Sequence, residues 1–169
     1  MRILVSEAVE ADVEELRRLI EEAFAGIDAS GVELRVERAR NPRESFTGRA
    51  YPEPPRRPKL SPGTLFFVRL RLPGALRNRG YPRAYRYTGL VTAPWITVRD
   101  WRERLVALAA HEAFHVHQFR EGLRRSEVAA ERWALKKLLE WSSVRAEALR
   151  PAAWRGIERT NGQLMLFAS

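Results

Sequence analysis

The spacing of apolar residues changes along the first half of the chain, and each spacing predicts a different element. Between residues 9 and 25, apolar side chains recur every three or four positions, which predicts an amphipathic helix that ends at Gly26. Apolar and charged residues alternate from Val32 to Val36 and again from Thr64 to Leu72. This second spacing is typical of half-buried strands.

A proline-rich segment separates these two predicted strands. Six prolines lie between residues 39 and 63, and neither a helix nor a central strand persists through such a run. We therefore expect one long Pro- and Arg-rich loop, which is either a lid or binding element or a disordered connector. Two more short strands are expected at Ala84–Val91 and Trp95–Val98. The pattern of residues in the first half of the chain thus predicts one helix and a small, mostly antiparallel sheet.

The second half of the chain predicts two long helices. Asp100 and Glu103 form a capping box, and the helix that follows them is expected to end near Gly122. Another helix is expected from Arg124 to Leu149, before Pro151. Together the two halves indicate an α+β fold.

The first of these helices contains the sequence His-Glu-Ala-Phe-His at residues 111–115. Residues four apart on a helix lie about 40° from each other around the axis, so His111 and His115 can bind one metal ion with Glu112 beside them. Without a metal, the two histidines would instead be a core pair held by hydrogen bonds. His117 points about 160° away from His115, and we expect it to be a core or surface residue.

Two carboxylates, Glu127 and Glu131, share one face of the next helix with apolar residues. Burying an unpaired carboxylate costs several kcal/mol, so these acids either face solvent or meet cations. A zinc ion and its histidines would satisfy both carboxylates. The small alanines between the two glutamates would let this helix approach the preceding one closely. Otherwise Glu127 is favoured by the helix dipole, and Glu131 pairs with Arg124 or Lys137.

The combined pattern, His-Glu-x-x-His followed on the next helix by Glu-x-x-Ala-Glu-x-x-Ala, resembles the gluzincin metallopeptidases, especially their small members and the ImmA/IrrE-type proteins. The resemblance covers residues 100–139, about a quarter of the chain. It implies that His111, His115 and Glu127 bind one Zn²⁺ ion and that Glu112 is the general base. It also implies that Glu131 hydrogen-bonds the outer nitrogen of His111.

The fold and activity implied by this resemblance are those of a zinc peptidase. The expected zincin-like fold packs an N-terminal helix and a small sheet on the active-site helix and the glutamate-bearing helix after it. A protein or peptide substrate would lie along a sheet edge, here one of the strands between residues 84 and 98. Peptide hydrolysis would use a zinc-activated water, with Glu112 removing its proton and Glu131 fixing the tautomer of His111.

The chain departs from the gluzincin pattern at two points. Glu131 stands where Asp is more common. Gluzincins also often stabilise the oxyanion with a downstream His or Tyr, whereas here no His follows His117 and no Tyr follows Tyr87. The oxyanion-stabilising residue is therefore open among four side chains: Tyr85, Tyr87, Arg145 and Arg155.

Length and composition set the remaining expectations. The 169 residues are 45% hydrophobic, which predicts one core and a single domain over residues 1–169. The chain has no cysteine, so His, Asp and Glu are its strong metal ligands. The N-terminus turns acidic at Glu7, too early for a secretory signal, and no apolar run approaches the roughly 18 residues that cross a membrane. A cytoplasmic protein without membrane contact is expected.

Positive charge is concentrated between Arg35 and Arg86, where 14 Lys and Arg face three Glu in a chain of net charge +9. Arginine outnumbers lysine 27 to 3, which codon bias or heat adaptation would also produce. The functional interpretation is a surface that attracts nucleic acid or an acidic substrate, with tyrosines available to stack bases. The competing function to a peptidase is thus a non-catalytic zincin-fold module that uses segment 35–86 to bind nucleic acid or a protein partner.

Overall fold

A computed structural model of the protein describes residues 1–40, 46–53, 55, 58–86 and 92–148. Within these residues the fold is α+β, as the sequence predicts, with three helices and six strands. In chain order they are β1 (Arg2–Val5), α1 (Val13–Phe24), β2 (Val32–Arg38), β3 (Thr47–Tyr51), β4 (Phe66–Leu72), β5 (Arg83–Tyr85), β6 (Ile96–Val98), α2 (Trp101–Arg120) and α3 (Glu127–Ala148).

Each helix begins at a residue whose side chain caps it. Asp12 accepts the backbone N–H groups of Glu14 and Glu15, which starts α1 four residues later than apolar spacing suggests. Asp100 accepts the N–H of Glu103 over 2.9 Å, so the predicted start of α2 is confirmed. The hydroxyl of Ser126 accepts from Ala129 over 3.3 Å at the start of α3.

The main sheet is mixed, so the expectation of a mostly antiparallel sheet is wrong. Its strand order is β1-β2-β4-β3. β2 pairs in parallel with both β1 and β4, and only the β3–β4 pair is antiparallel. Parallel neighbours need a crossover, which α1 provides between β1 and β2. The short strand β1, at the very start of the chain, was not expected from the sequence.

Strand β3 lies inside the segment 39–63 that was expected to be one continuous loop, and this expectation is also wrong. None of the prolines falls between residues 43 and 51, so five consecutive residues can pair with β4. An edge strand pairs on one side only and therefore tolerates prolines at its ends. Segment 58–64 packs against the outer face of the sheet, where the N–H of Ser61 donates to Glu33 over 2.8 Å.

The two strands expected near residues 84 and 95 form a separate antiparallel pair. β5 pairs with β6 so that Arg83 lies opposite Val98. Both strands are shorter than expected, and residues 87–91 of the predicted strand 84–91 lie outside the described residues.

Helix α2 lies at the centre of the molecule. It packs against α1, α3, β3, β4 and β6. Residues 105–113 of α2 are all buried. This explains why the apolar residues of this helix lie on every side of it and not along a single stripe. Residues 111–115 are thereby held on rigid backbone. Across the described residues, no helix is long and apolar enough to cross a membrane.

Candidate metal centre

The side chains of His111, His115 and Glu127 converge on one point between α2 and α3. The two Nε2 atoms are 3.1 Å apart, and Oε2 of Glu127 lies 3.1 Å from Nε2 of His111 and 3.3 Å from that of His115. His115 is fully buried and His111 nearly so. The other carboxylate oxygen of Glu127 binds Nε of Arg125 over 2.7 Å. The carboxylate is thereby held with Oε2 toward the histidines.

The outer nitrogens of both histidines face oxygen acceptors. Nδ1 of His111 lies 3.2 Å from Oε1 of Glu131, and Nδ1 of His115 lies 2.8 Å from Oε1 of Gln118. Gln118 is oriented by its own contacts, because its amide nitrogen donates to the carbonyl of Arg124 and its oxygen accepts from the N–H of Ser126. In its neutral form, each histidine would therefore donate from Nδ1 and carry a lone pair at Nε2.

In these forms, three acceptor atoms would meet at one point. Two imidazole lone pairs and one carboxylate oxygen repel each other at these distances unless a cation or a proton lies among them. A proton on His111 would offer one donor to two acceptors, as in the metal-free core pair. A metal ion would accept all three lone pairs. These residues form a buried group that can hold a metal ion.

The surroundings shift the pKa values of the three side chains in different directions. Burial disfavours protonation of His111, but the hydrogen bond to Glu131 and nearby carboxylates outweigh it and raise its pKa. Burial dominates at His115 and lowers its pKa despite the bond to Gln118. Burial favours the neutral acid at Glu127, but His115 in its protonated form and the charge of Arg125 outweigh it and lower its pKa. A carboxylate and a neutral imidazole are the forms that bind metals.

Glu112 is almost completely buried, with 3% of its surface exposed. Burial raises its pKa to about 7, against the opposing influence of His111. Its Oε2 atom is buried and has no hydrogen-bond partner within the described part of the chain. A buried oxygen of this kind is costly unless water or substrate meets it. Glu112 can therefore exchange a proton near neutral pH, as a general base must.

Strand β3 approaches α2 so closely at Glu112 that a side chain at position 48 would displace the side chain of Glu112. A Cβ atom on Gly48 would lie 2.6 Å from Oε1 and 2.7 Å from Cγ of Glu112. β3 is the edge strand of the main sheet, so the sheet edge beside Glu112 is not the one expected between residues 84 and 98. Strand β5 does not lie against Glu112 in this way; it contributes Arg83 and Tyr85 to the lining of the adjoining cavity.

That cavity has a volume of about 530 Å³ and reaches from β3 and β5 to α2. Its lining includes His111, Glu112 and Glu131, together with Tyr85 and Arg104. Burial raises the pKa of Tyr85 to about 12, although Arg104 opposes the shift. The hydroxyl of Tyr85 therefore keeps its proton at neutral pH and remains a hydrogen-bond donor.

The four residues considered as oxyanion stabilisers are placed differently. Tyr85 lines the cavity, whereas Arg145 binds Asp100 over 2.6 Å near the start of α2. Tyr87 and Arg155 lie outside the described residues. Tyr85 is therefore the candidate that the described structure brings to the site.

The sequence left Glu131 either near the metal site or paired with a cation, and it placed His117 away from the site. Glu131 contacts His111, while Lys137 binds Glu140 over 3.0 Å. The ring of His117 packs near that of Phe114, with centroids 5.6 Å apart, and it is not part of the convergent group. Glu131 thus lies at the candidate metal site and His117 outside it.

Sequence reasoning missed three residues of this neighbourhood. Gln118 lies three positions after His115, a spacing that places it nearby on a helix but does not reveal the contact. Gly48 lay in a segment expected to be a loop, so nothing in the local pattern marked it. Arg104 lies seven positions before His111 and on the same side of α2, which the helical period could have indicated.

The geometry brings together the five residues singled out in the sequence: His111, Glu112, His115, Glu127 and Glu131. The ligand atoms of the two histidines and Glu127 all lie within 4.8 Å of one another. No protein-family model, no curated protein and no solved structure matches the chain. The interpretation of the site rests on its donor atoms and their arrangement.

Proposed function

We propose that the protein is a zinc-dependent peptidase with a zincin-like active site. The observation that carries this proposal is the convergence of two imidazole nitrogens and one carboxylate oxygen, from His111, His115 and Glu127, with both outer imidazole nitrogens already in contact with oxygen acceptors. Tetrahedral zinc with bonds of 2.0–2.2 Å separates its ligand atoms by roughly 3.3–3.5 Å. The observed separations of 3.1–3.3 Å are close to that spacing.

The donor set also favours zinc over harder cations. Two imidazoles and one carboxylate are typical ligands of catalytic zinc, whereas Mg²⁺ and Ca²⁺ prefer oxygen ligands alone. Three protein ligands would leave one position for water or substrate. When bound, zinc would supply an activated water and polarise the scissile carbonyl.

The chain's own residues would complete the reaction. Glu112 would accept the proton of the attacking water and transfer it to the leaving amine, a role that its place beside His111 on the cavity lining supports. The hydroxyl of Tyr85 would donate to the oxyanion. Glu131 and Gln118 would hold the histidine rings in place. The open edge of β3 beside Glu112 would bind the substrate backbone as an added strand.

Metal content and peptide hydrolysis test this proposal directly. The protein would be purified without chelator or metal-affinity tag, alongside His115→Ala, Glu127→Ala and Glu112→Gln. We expect about one zinc per chain, lost in the first two variants and kept in the third, and hydrolysis lost in all three. Wild-type protein that binds no zinc even when it is supplied, or zinc-loaded wild type that hydrolyses no peptide, would refute the peptidase. Full activity in Glu112→Gln would refute the role of Glu112 as general base.

A second candidate function is binding of nucleic acid, and one arrangement on the outer face of the sheet favours it. Arg35, Arg69 and Arg49 are register partners across β2, β4 and β3, and so form a row of guanidinium groups. The rings of Tyr51 and Phe67 stack beside this row with centroids 5.5 Å apart. Phe67 is fully buried, so Tyr51, which is partly exposed, is the ring of this pair that could stack on a base of a single-stranded nucleic acid.

Part of this charge is already compensated. Arg35 binds Glu33, and Arg69 lies 3.5 Å from Glu37. Binding of a single-stranded oligonucleotide that weakens steeply with salt and is lost in Arg49→Glu, but not in Lys136→Glu, would support this function. Salt-independent binding, or none, would leave the row as a structural feature of the sheet.

A further inference from the structure

The arginines of α2 differ in their partners. Arg102 binds Glu15 over 2.6 Å, and Arg120 lies 3.2 Å from Asp28. Arg104 has no carboxylate of the described residues within salt-bridge distance, although it is only partly exposed. It donates to the carbonyl of Phe46 over 3.4 Å and to the side chain of Tyr85, and both of these partners are uncharged. A half-buried guanidinium with so little compensation of its charge is costly, and an anion would satisfy it.

The position of Arg104 links it to the metal site. It lies seven residues before His111, so both occupy the same side of α2, about 10 Å apart along the helix axis. The cavity of about 530 Å³ includes Arg104, His111 and Glu112 in its lining. A ligand in this cavity can therefore reach Arg104 and the candidate metal site together.

Arg104 is also held in an orientation suited to binding. Its guanidinium carbon lies 3.8 Å from the centroid of the Tyr85 ring. Stacking of this kind covers a face of the guanidinium group and leaves N–H groups at its edge for a planar carboxylate. Arg83 and Arg86 line the same cavity and add positive charge to this end of it.

We propose that Arg104 binds a carboxylate of the substrate, so that the enzyme selects peptides with an acidic group close to the scissile bond. This inference rests on the proposed peptidase function and specifies its substrate class. An extended peptide advances about 3.3 Å per residue, so a span of about 10 Å corresponds to at most three residues. The carboxylate belongs either to a Glu or Asp side chain or to the C-terminus of a short substrate.

Matched peptides test the preference. Each peptide carries one Glu at a position up to three residues from the scissile bond on either side, and its partner carries Gln there. Because a hydrogen-bonded ion pair of this type changes affinity about 10-fold to 100-fold, we expect kcat/KM to favour Glu by that factor at one position. Peptides with free and amidated C-termini distinguish a side-chain carboxylate from a terminal one.

Variants assign the preference to the residue. In Arg104→Gln the Glu/Gln ratio should fall to near one, and in Arg104→Glu a matched Lys peptide should become the better substrate. Arg102→Gln is the control, because Arg102 is on the same helix but already bound to Glu15 and outside this cavity. A wild-type ratio near one at every position, or a ratio that survives in Arg104→Gln, would overturn the inference.

Binding is measured separately so that the two proposals can fail separately. The zinc-loaded Glu112→Gln protein is titrated with the same Glu and Gln peptides, with and without Arg104→Gln. Tighter binding of the Glu peptide that depends on Arg104 supports the carboxylate site even if wild-type protein hydrolyses nothing, in which case only the peptidase proposal fails. Equal or undetectable binding of both peptides overturns the carboxylate site.

Discussion

Gly48 and Glu112 are in direct contact across the interface of β3 and α2, and the contact leaves no space for a side chain on the strand. A Cβ atom at Gly48 would overlap the carboxylate and Cγ of Glu112 at 2.6 and 2.7 Å. The contact brings the edge of the sheet against the proposed general base. If a peptide binds this edge as proposed, the contact sets its distance from Glu112.

Replacing Gly48 by alanine should therefore displace Glu112. We expect kcat for peptide hydrolysis to fall by about 10-fold or more, and stability to fall by about 1–3 kcal/mol through overpacking. Zinc stoichiometry should stay the same, because the ligands are on α2 and α3. Arg49→Ala, on the opposite face of the same strand, is the control. An unchanged kcat in Gly48→Ala would mean that Glu112 adjusts without loss of function.

Gln118 should contribute to metal affinity through His115. Removing the acceptor in Gln118→Leu frees the ring of His115 to rotate, and such losses typically weaken metal binding about 10-fold to 100-fold. Gln118→Glu retains an oxygen acceptor and should bind zinc more tightly than the leucine variant. Competition with a chromophoric chelator measures both affinities. Equal affinities in wild type and Gln118→Leu would remove Gln118 from the site.

Tyr85 should act in the transition state rather than in substrate binding. Tyr85→Phe removes the hydroxyl and keeps the ring that stacks with Arg104. Loss of one oxyanion donor costs on the order of 10²-fold in kcat, with little change in KM. Steady-state kinetics with one peptide would show the split. A raised KM at constant kcat would instead assign Tyr85 to substrate binding.

Glu33, on the outer face of the sheet and away from the candidate metal site, should make stability depend on pH. Burial opposes ionisation of this carboxyl, but its hydrogen bonds from Ser61 and Arg35 prevail and lower its pKa to about 2. Because the folded pKa lies below the unfolded value of 4.5, the stabilisation is present above pH 4.5 and is lost as the pH falls toward 2. Its size at neutral pH is on the order of 3 kcal/mol.

Urea unfolding at pH 7 and pH 3 measures this contribution. Glu33→Gln should be less stable than wild type at pH 7 and should lose less stability on acidification. Glu37→Gln, on the same face but more exposed, is the matched control. If Glu33→Gln retained the full wild-type loss between the two pH values, another carboxylate would have to be responsible.

The main helices follow closely from the sequence because their signals are local. Asp100 and Glu103 lie three residues apart and identify the start of α2 without knowledge of any other element. Gly122, with φ of +62°, likewise follows the end of that helix. The sheet was harder to predict, since parallel pairing of β1 with β2 and of β2 with β4 joins segments far apart in the chain.

The sequence by itself determined that His111 and His115 share one side of a helix with Glu112 between them, because the helical repeat sets that relation within five residues. Only the tertiary structure decided that Oε2 of Glu127 meets both rings and that Gly48 lies against Glu112. It also decided that Arg104 has no carboxylate within reach among the described residues. Those relations depend on how α3 and β3 pack on α2. Such packing is set by the shapes of buried surfaces distant in the chain, which a local pattern of apolar and polar residues does not encode.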